Sequence, residues 1–207
     1  MSSFSFDLLY HDVALLVADK PAGLLAVPGR GEDKQDCLSV RVQRTFPDAL
    51  IVHRLDMATS GLMVFARGIE MQRRLSHMFG QREMHKRYVA VVSGIVEQEA
   101  GEVNLPIVAD WPNRPLRKID VESGKPSLTR YQVLSRSSDS TRIELEPVTG
   151  RTHQLRVHTK AIGHPILGDA LYGDEGSALR LLLHASSLRF SHPLRATPLN
   201  FISSPPF

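Results

Sequence analysis

Cysteine is nearly absent from this 207-residue chain: Cys37 is the only one. A lone cysteine excludes an internal disulfide and any cysteine-rich zinc site. Aromatic residues are also few, 6% of the sequence with a single tryptophan. Long apolar runs are missing. The longest, Val13–Ala18 and Leu62–Ala66, fall far short of the roughly 20 residues that cross a bilayer as a helix. The opening stretch MSSFSFDLLYHD has no basic start and no extended apolar segment, so no secretory leader is expected. A reduced, cytoplasmic protein without membrane attachment is the simplest expectation.

What is present is ordinary for a globular chain: 42% apolar and 23% charged residues, enough to bury a core and too apolar for a disordered polymer. The length suits one large domain, or a domain with a lobe. Net charge is only +3, but its distribution is uneven. Residues 1–50 hold 7 acids and 5 bases, whereas residues 51–96 hold 7 bases and 3 acids. Of the 25 bases 19 are arginine, the side chain suited to phosphate forks and to stacking on bases; a GC-rich genome enriches arginine as well.

The hydrophobic pattern mixes strands and helices. Val13–Ala18 reads as a buried strand closed by the turn Lys20-Pro21-Ala22-Gly23. Leu38, Val42 and Phe46 recur every four residues, which predicts a short amphipathic helix capped by Asp36 and stopped by Pro47. A second helix carries Met71, Leu75, Met78 and Phe79 on one face and ends at Gly80. Further strands are expected at 51–52, 62–66, 88–92, 127–134, 142–146, 181–183 and 188–190. Between them, residues 101–127 read as an extended loop or hairpin, and 150–163 as a turn into a helix. Without strict strand–helix alternation, the pattern favours α+β over a doubly wound parallel sheet.

Cofactor fingerprints are lacking. Gly29-Arg30-Gly31 has no third glycine, position 34 being Lys34, and Gly124-Lys125 is followed by Pro126, so neither a dinucleotide turn nor a phosphate loop is formed. Nine histidines invite a metal, but His153 and His158, five apart, do not share a helical face. A structural or RNA-contacting role suits them better. No cofactor and no metal are expected, and chemistry would come from side chains alone.

One polar turn stands out. His53-Arg54-Leu55-Asp56-Met57-Ala58-Thr59-Ser60-Gly61 lies between two apolar strands. A single Asp there is most often a turn residue. Arg54, however, precedes Asp56 by two, so both project to the same side of an extended chain. Thr59, Ser60 and Gly61 would add hydroxyls and a flexible corner.

This turn resembles the signature of the RluA-type pseudouridine synthases, and other pieces resemble that family in the same order. They are Lys20-Pro21-Ala22-Gly23, Lys86-Arg87-Tyr88, the run Gly150–His158, Gly168-Asp169, Tyr172-Gly173 and Leu181–Ala185. Asp110–Pro115 is similar to the dual-specificity members, which modify large-subunit ribosomal RNA and certain tRNAs. The resemblance implies a single α+β catalytic domain over residues 1–207. Its sheet would be mixed and mostly antiparallel, with flanking helices and an RNA-binding cleft. The short N-terminus predicts that the small N-terminal RNA-binding domain of many relatives is missing, and a monomer is expected.

The roles implied are specific. Asp56 is the nucleophile, which must be ionised to attack, and Arg151 pairs with it and holds it charged. Tyr88 stacks on the flipped uracil and assists removal of its ring proton, while Leu183 lines an apolar wall; for both, the alternative is a side chain packed in the core. Arg54 fills the space left by the flipped base. Arg87, Arg114, Arg117 and Lys118 read as phosphate contacts, against the alternative of a solvated charged surface. The reaction implied detaches uracil from ribose, turns it and rejoins it through carbon, in a stem-loop of rRNA, tRNA or both. Two other readings suit these residues less well. A non-catalytic RNA-binding module is disfavoured by intact Asp56, Tyr88 and Arg151. A carboxylate hydrolase would commonly need a second carboxylate, and the turn holds one.

Overall fold

The computed structural model describes residues 6–207; the reading of the extreme N-terminus lies partly outside them, at residues 1–5. The chain forms two compact units. One takes the chain up to Lys86 and then Ala185–Pro206; the other takes Arg87–His184 and Phe207.

In the first unit, β1 (Asp7–His11), β2 (Leu15–Lys20) and β4 (Ser60–Arg67) lie side by side in that order, and β3 (Ala49–Ile51) also pairs with β4. The β2–β4 register runs antiparallel from Leu15 opposite Ala66 to Lys20 opposite Gly61. β4 is buried at seven consecutive positions, as a strand covered on both faces must be. Helix α1 (Leu38–Thr45) precedes β3 and α2 (Gly68–Gly80) follows β4. Met71, Leu75 and Met78 of α2 pack with Leu15, Val17, Leu62, Val64, Leu188 and Phe190. Completely burying a side chain such as Leu75 is worth about 1.5–3 kcal/mol, so this face anchors the helix.

The second unit contains β5 (His85–Ser93), β10 (Ser140–Pro147), β9 (Leu128–Arg136) and β6 (Ala100–Asn104), in that spatial order. β7 (Ile107–Ala109) and β8 (Arg117–Ile119) form a separate antiparallel ribbon. β10 alternates strictly, with Thr141, Ile143, Leu145 and Pro147 buried. Helix α3 (Gln154–Ala161) buries six successive residues. Among them, Arg156 forms a bidentate pair with Asp169 at 2.6 and 2.8 Å, both side chains being almost fully enclosed. Such a pair is costly to break from one side, because the remaining charge is stranded.

The chain returns to the first unit along β11 (Leu183–Ser191), whose partner is β12 (Pro198–Ile202). Two clasps fasten this return to the N-terminal strands. Asp12 accepts from His192 Nε2 at 2.7 Å and from Tyr10 Oη at 2.8 Å, and Ser203 hydrogen-bonds Asp19.

The α+β expectation holds, with a mixed sheet and three helices, and four local readings are corrected. The N-cap of α1 is Cys37 rather than Asp36, which pairs with Arg41 at 2.6 Å. In place of separate strands at 181–183 and 188–190 there is one strand, Leu183–Ser191, and residues 181–182 lie before it. β1 and β12 are additional strands. Thr59-Ser60-Gly61 is no flexible corner. Thr59 and Ser60 are buried, and Gly61 sits at φ 111 with its Cα against the backbone of Ala185, where any Cβ would collide.

Candidate active site

The turn that carries Asp56 is held from beneath. Lys20, at the end of β2, is completely buried. Its Nζ donates to three carbonyls, Pro21 O at 2.8 Å, Leu24 O at 2.7 Å and Met57 O at 3.0 Å. Met57 O also accepts the Gly23 N–H at 2.9 Å. An ammonium has three protons, and here each is directed at backbone, so the Lys20-Pro21-Ala22-Gly23 turn and the Asp56 turn form one rigid piece. Thr59 N–H closes onto Asp56 O at 3.1 Å. Leu55 is buried between exposed Arg54 and half-buried Asp56, the alternation expected when 54 and 56 project to the same side.

His53 roots the turn. Its Nε2 accepts the Val64 N–H at 2.9 Å, and its ring stacks on Phe79 at 4.6 Å. Burial, reinforced by the neighbouring Lys86 ammonium, pushes the His53 pKa down to about 3. The ring is therefore neutral, as acceptance of an N–H requires. Lys86 Nζ lies 5.7 Å from the Phe79 ring centre, and burial lowers its pKa as well.

The remaining candidates belong to the second unit. Tyr88 is half-buried in β5 opposite Leu145, and Leu183 is buried at the start of β11. Arg151 is exposed on the turn before α3, with its guanidinium 3.4 Å from Pro126 O. Gln154 shapes that turn. Its Oε1 accepts from Thr149 Oγ1 and Arg151 N, while its Nε2 donates to Leu128 O and Thr129 Oγ1. His153 adopts a left-handed conformation at φ 57, a region that histidine enters more readily than most side chains.

Several motif residues are structural. His158 is buried between Thr129 Oγ1 and Leu105 O, Asp169 is the partner of Arg156, and the Tyr172 hydroxyl meets Arg117 N at 2.8 Å and His153 Nδ1 at 2.7 Å. The four proposed phosphate contacts differ from one another. Arg87 pairs with Glu144 at 2.6 Å. Arg114 lies over the Trp111 ring. Arg117 has an enclosed Nε without a partner among the described residues. Lys118 is exposed.

The functions of Lys20 and His53 were not visible in the sequence; the one available signal was a lysine at the end of an apolar strand. Among the described residues, no three His, Cys, Asp or Glu side chains are grouped to hold a metal ion, and no helix is long and apolar enough to cross a membrane.

These features match known proteins. The family described as RNA pseudouridylate synthase matches residues 14–161. The dual-specificity RNA pseudouridine synthase RluA of Yersinia pestis is 50% identical over 94% of this chain and 96% of its own length. Its Escherichia coli K12 counterpart is 48% identical over 94% of this chain and 90% of its own length. Among solved structures, human RNA pseudouridylate synthase domain containing 1 superposes with a TM-score of 0.82 at 28% identity. That match covers 99% of this chain and 85% of the human one. Human RNA pseudouridylate synthase domain containing 4 gives 0.78 at 28% identity, covering 97% and 88%. With a family match across most of the chain and half of its residues shared with RluA proteins, the chain belongs to the RNA pseudouridylate synthase family, isomerases that act on RNA.

Proposed function

We propose that this isomerase converts a uridine in a stem-loop of 23S rRNA, of tRNA or of both to pseudouridine, with Asp56 as its nucleophile. The dual specificity in the names of the RluA relatives supports the choice of RNA. The observation that carries the catalytic assignment is the anchoring of the Asp56 turn by the buried Lys20 ammonium. A carboxylate that must reach one atom of a flipped nucleotide gains from a rigid mount, because misplacement by about 1 Å can cost a hundredfold in rate.

In this reaction the bond from ribose C1′ to uracil N1 breaks, the ring turns, and C1′ bonds to C5. The C5 proton leaves and N1 ends protonated, so substrate and product have the same composition. That balance asks for a nucleophile and a proton acceptor, and for no oxidant or group donor. In this reading Arg151 keeps the nucleophile charged, Tyr88 stacks on uracil and helps remove the C5 proton, and Leu183 lines the apolar wall. Arg54 enters the gap in the RNA stack, which offsets part of the few kcal/mol that extruding a base costs. Arg87, Arg114, Arg117 and Lys118 meet RNA charge from the second unit. The protein works as a cytoplasmic monomer.

Asp56→Asn tests the assignment. The amide preserves shape and removes the attacking charge. Pseudouridine formation on RNA from cells lacking this gene should become undetectable, while RNA binding measured by filter retention stays within about twofold. Turnover near the wild-type rate would refute Asp56 as the nucleophile.

A further inference from the structure

The loop joining β7 to β8 presents the chain's single tryptophan to solvent. Trp111 is 66% exposed, an unusual position for the largest apolar side chain. The Arg114 guanidinium lies 3.4 Å from the ring centre, over one face. The loop is fixed by its own hydrogen bonds: Asp110 N–H to Leu116 O, Asn113 N–H to Asp110 O, Leu116 N–H to Asn113 O, and Asn113 Nδ2 to Asp110 Oδ2, all at 3.0–3.1 Å. At its far end Arg117 N–H donates to the buried Tyr172 at 2.8 Å.

We propose that Trp111 is a stacking platform for an unpaired nucleobase of the bound RNA, a base other than the target uridine. The proposal rests on the reading that RNA is this chain's substrate. Three observations carry it. An exposed indole with a cation over one face offers a π surface of base size. The loop backbone is hydrogen-bonded and Arg114 already rests on the ring before binding, so less freedom is lost when a base arrives. The surrounding charge suits a nucleic acid: Arg114, Arg117 and Lys118 lie within seven residues of the ring, and the one acid in that span is Asp110, which accepts from the Asn113 amide. A base stacked on Trp111 would place its phosphates among these cations. Every base has a π face, so the platform tolerates sequence while demanding an unpaired nucleotide. It also gives Arg114 a second task, bracing the ring.

Because Trp111 is the only tryptophan, its fluorescence reports on this position alone. Wild-type protein is titrated with tRNA and with rRNA, each from cells lacking the gene, and with a fully paired RNA duplex. Binding is followed independently by filter retention, and pseudouridine formation is measured on the same samples. The expected result is saturable quenching by the RNA that is modified and none by bound duplex. Trp111→Leu should raise KM about tenfold, more than it changes kcat, and Trp111→Phe should recover most of the loss. Unquenched emission at saturating RNA, or an unchanged KM in Trp111→Leu, would overturn the platform. If wild-type protein modifies RNA without quenching, the platform fails and the proposed reaction stands. If it modifies neither RNA, the proposed reaction fails.

Discussion

A neutral histidine at the root of the Asp56 turn ties this part of the protein to pH. His53 accepts a backbone N–H through Nε2, and protonation there would replace the acceptor with a donor facing another donor. Its folded pKa of about 3 lies well below the ordinary value of about 6.5. In the interval between them the unfolded chain binds the extra proton and the folded chain does not. Stability is therefore complete above pH 6.5 and falls as pH drops toward 3, with a slope from this residue of at most about 1.4 kcal/mol per pH unit. Between pH 6.5 and 5, before most carboxylates protonate, urea unfolding of the wild type should show this slope. In His53→Gln, which offers an acceptor that does not titrate, it should be reduced. Equal slopes in the two proteins would assign the acid sensitivity elsewhere.

Elements differ in how plainly their residues announce them. β10 was legible because Arg142–Glu146 alternates without interruption, and α2 because Met71, Leu75 and Met78 share one helical face that the core covers. β11 read as two pieces because His184, Ser186 and Ser187 interrupt its apolar run, although His184 and Ser186 are buried. β1 and β12 alternate between exposed and half-buried positions, too weak a contrast to mark a strand. β7 and β8 have three residues each, shorter than any period can reveal. At the site, the Asp56 turn was legible through its resemblance, but its anchor was not, since a fully buried lysine contradicts what charge normally implies about exposure. Gly61 is an element-scale constraint: β4 approaches the backbone of Ala185 there with no space for a side chain, at a φ that disfavours one. Gly61→Ala should cost at least about 2 kcal/mol, seen as a fall in melting temperature of roughly 5–10 °C for a chain of this size. A wild-type melting temperature would mean that β4 and β11 separate freely at this point.

For the molecule as a whole, pattern reading indicated which residues form strands and helices, but not which distant segments close on one another. The Asp12–His192 bond spans 180 positions, and nothing local to either residue signals the other. The first unit is built from both ends of the sequence, and the second almost entirely from the uninterrupted stretch between them. That arrangement has a consequence during synthesis. As the nascent chain leaves the ribosome, β4 emerges early, yet its remaining edge waits for β11, and the clasps on Asp12 and Asp19 wait for His192 and Ser203. The middle segment carries β6, β9 and β10, the β7–β8 ribbon and α3 in one uninterrupted stretch, and β9 and β10 find their partners there without such a delay. The usual N-to-C order of folding should thus be inverted. In pulsed hydrogen exchange on arrested chains ending near residue 184 and outside the exit tunnel, amides of β9 and β10 should be protected while those of β2 and β4 still exchange. The strands bearing the Asp56 turn would then be completed only after β11 and Ser203 have been made, so that a product truncated before them carries Asp56 on an unfinished mount.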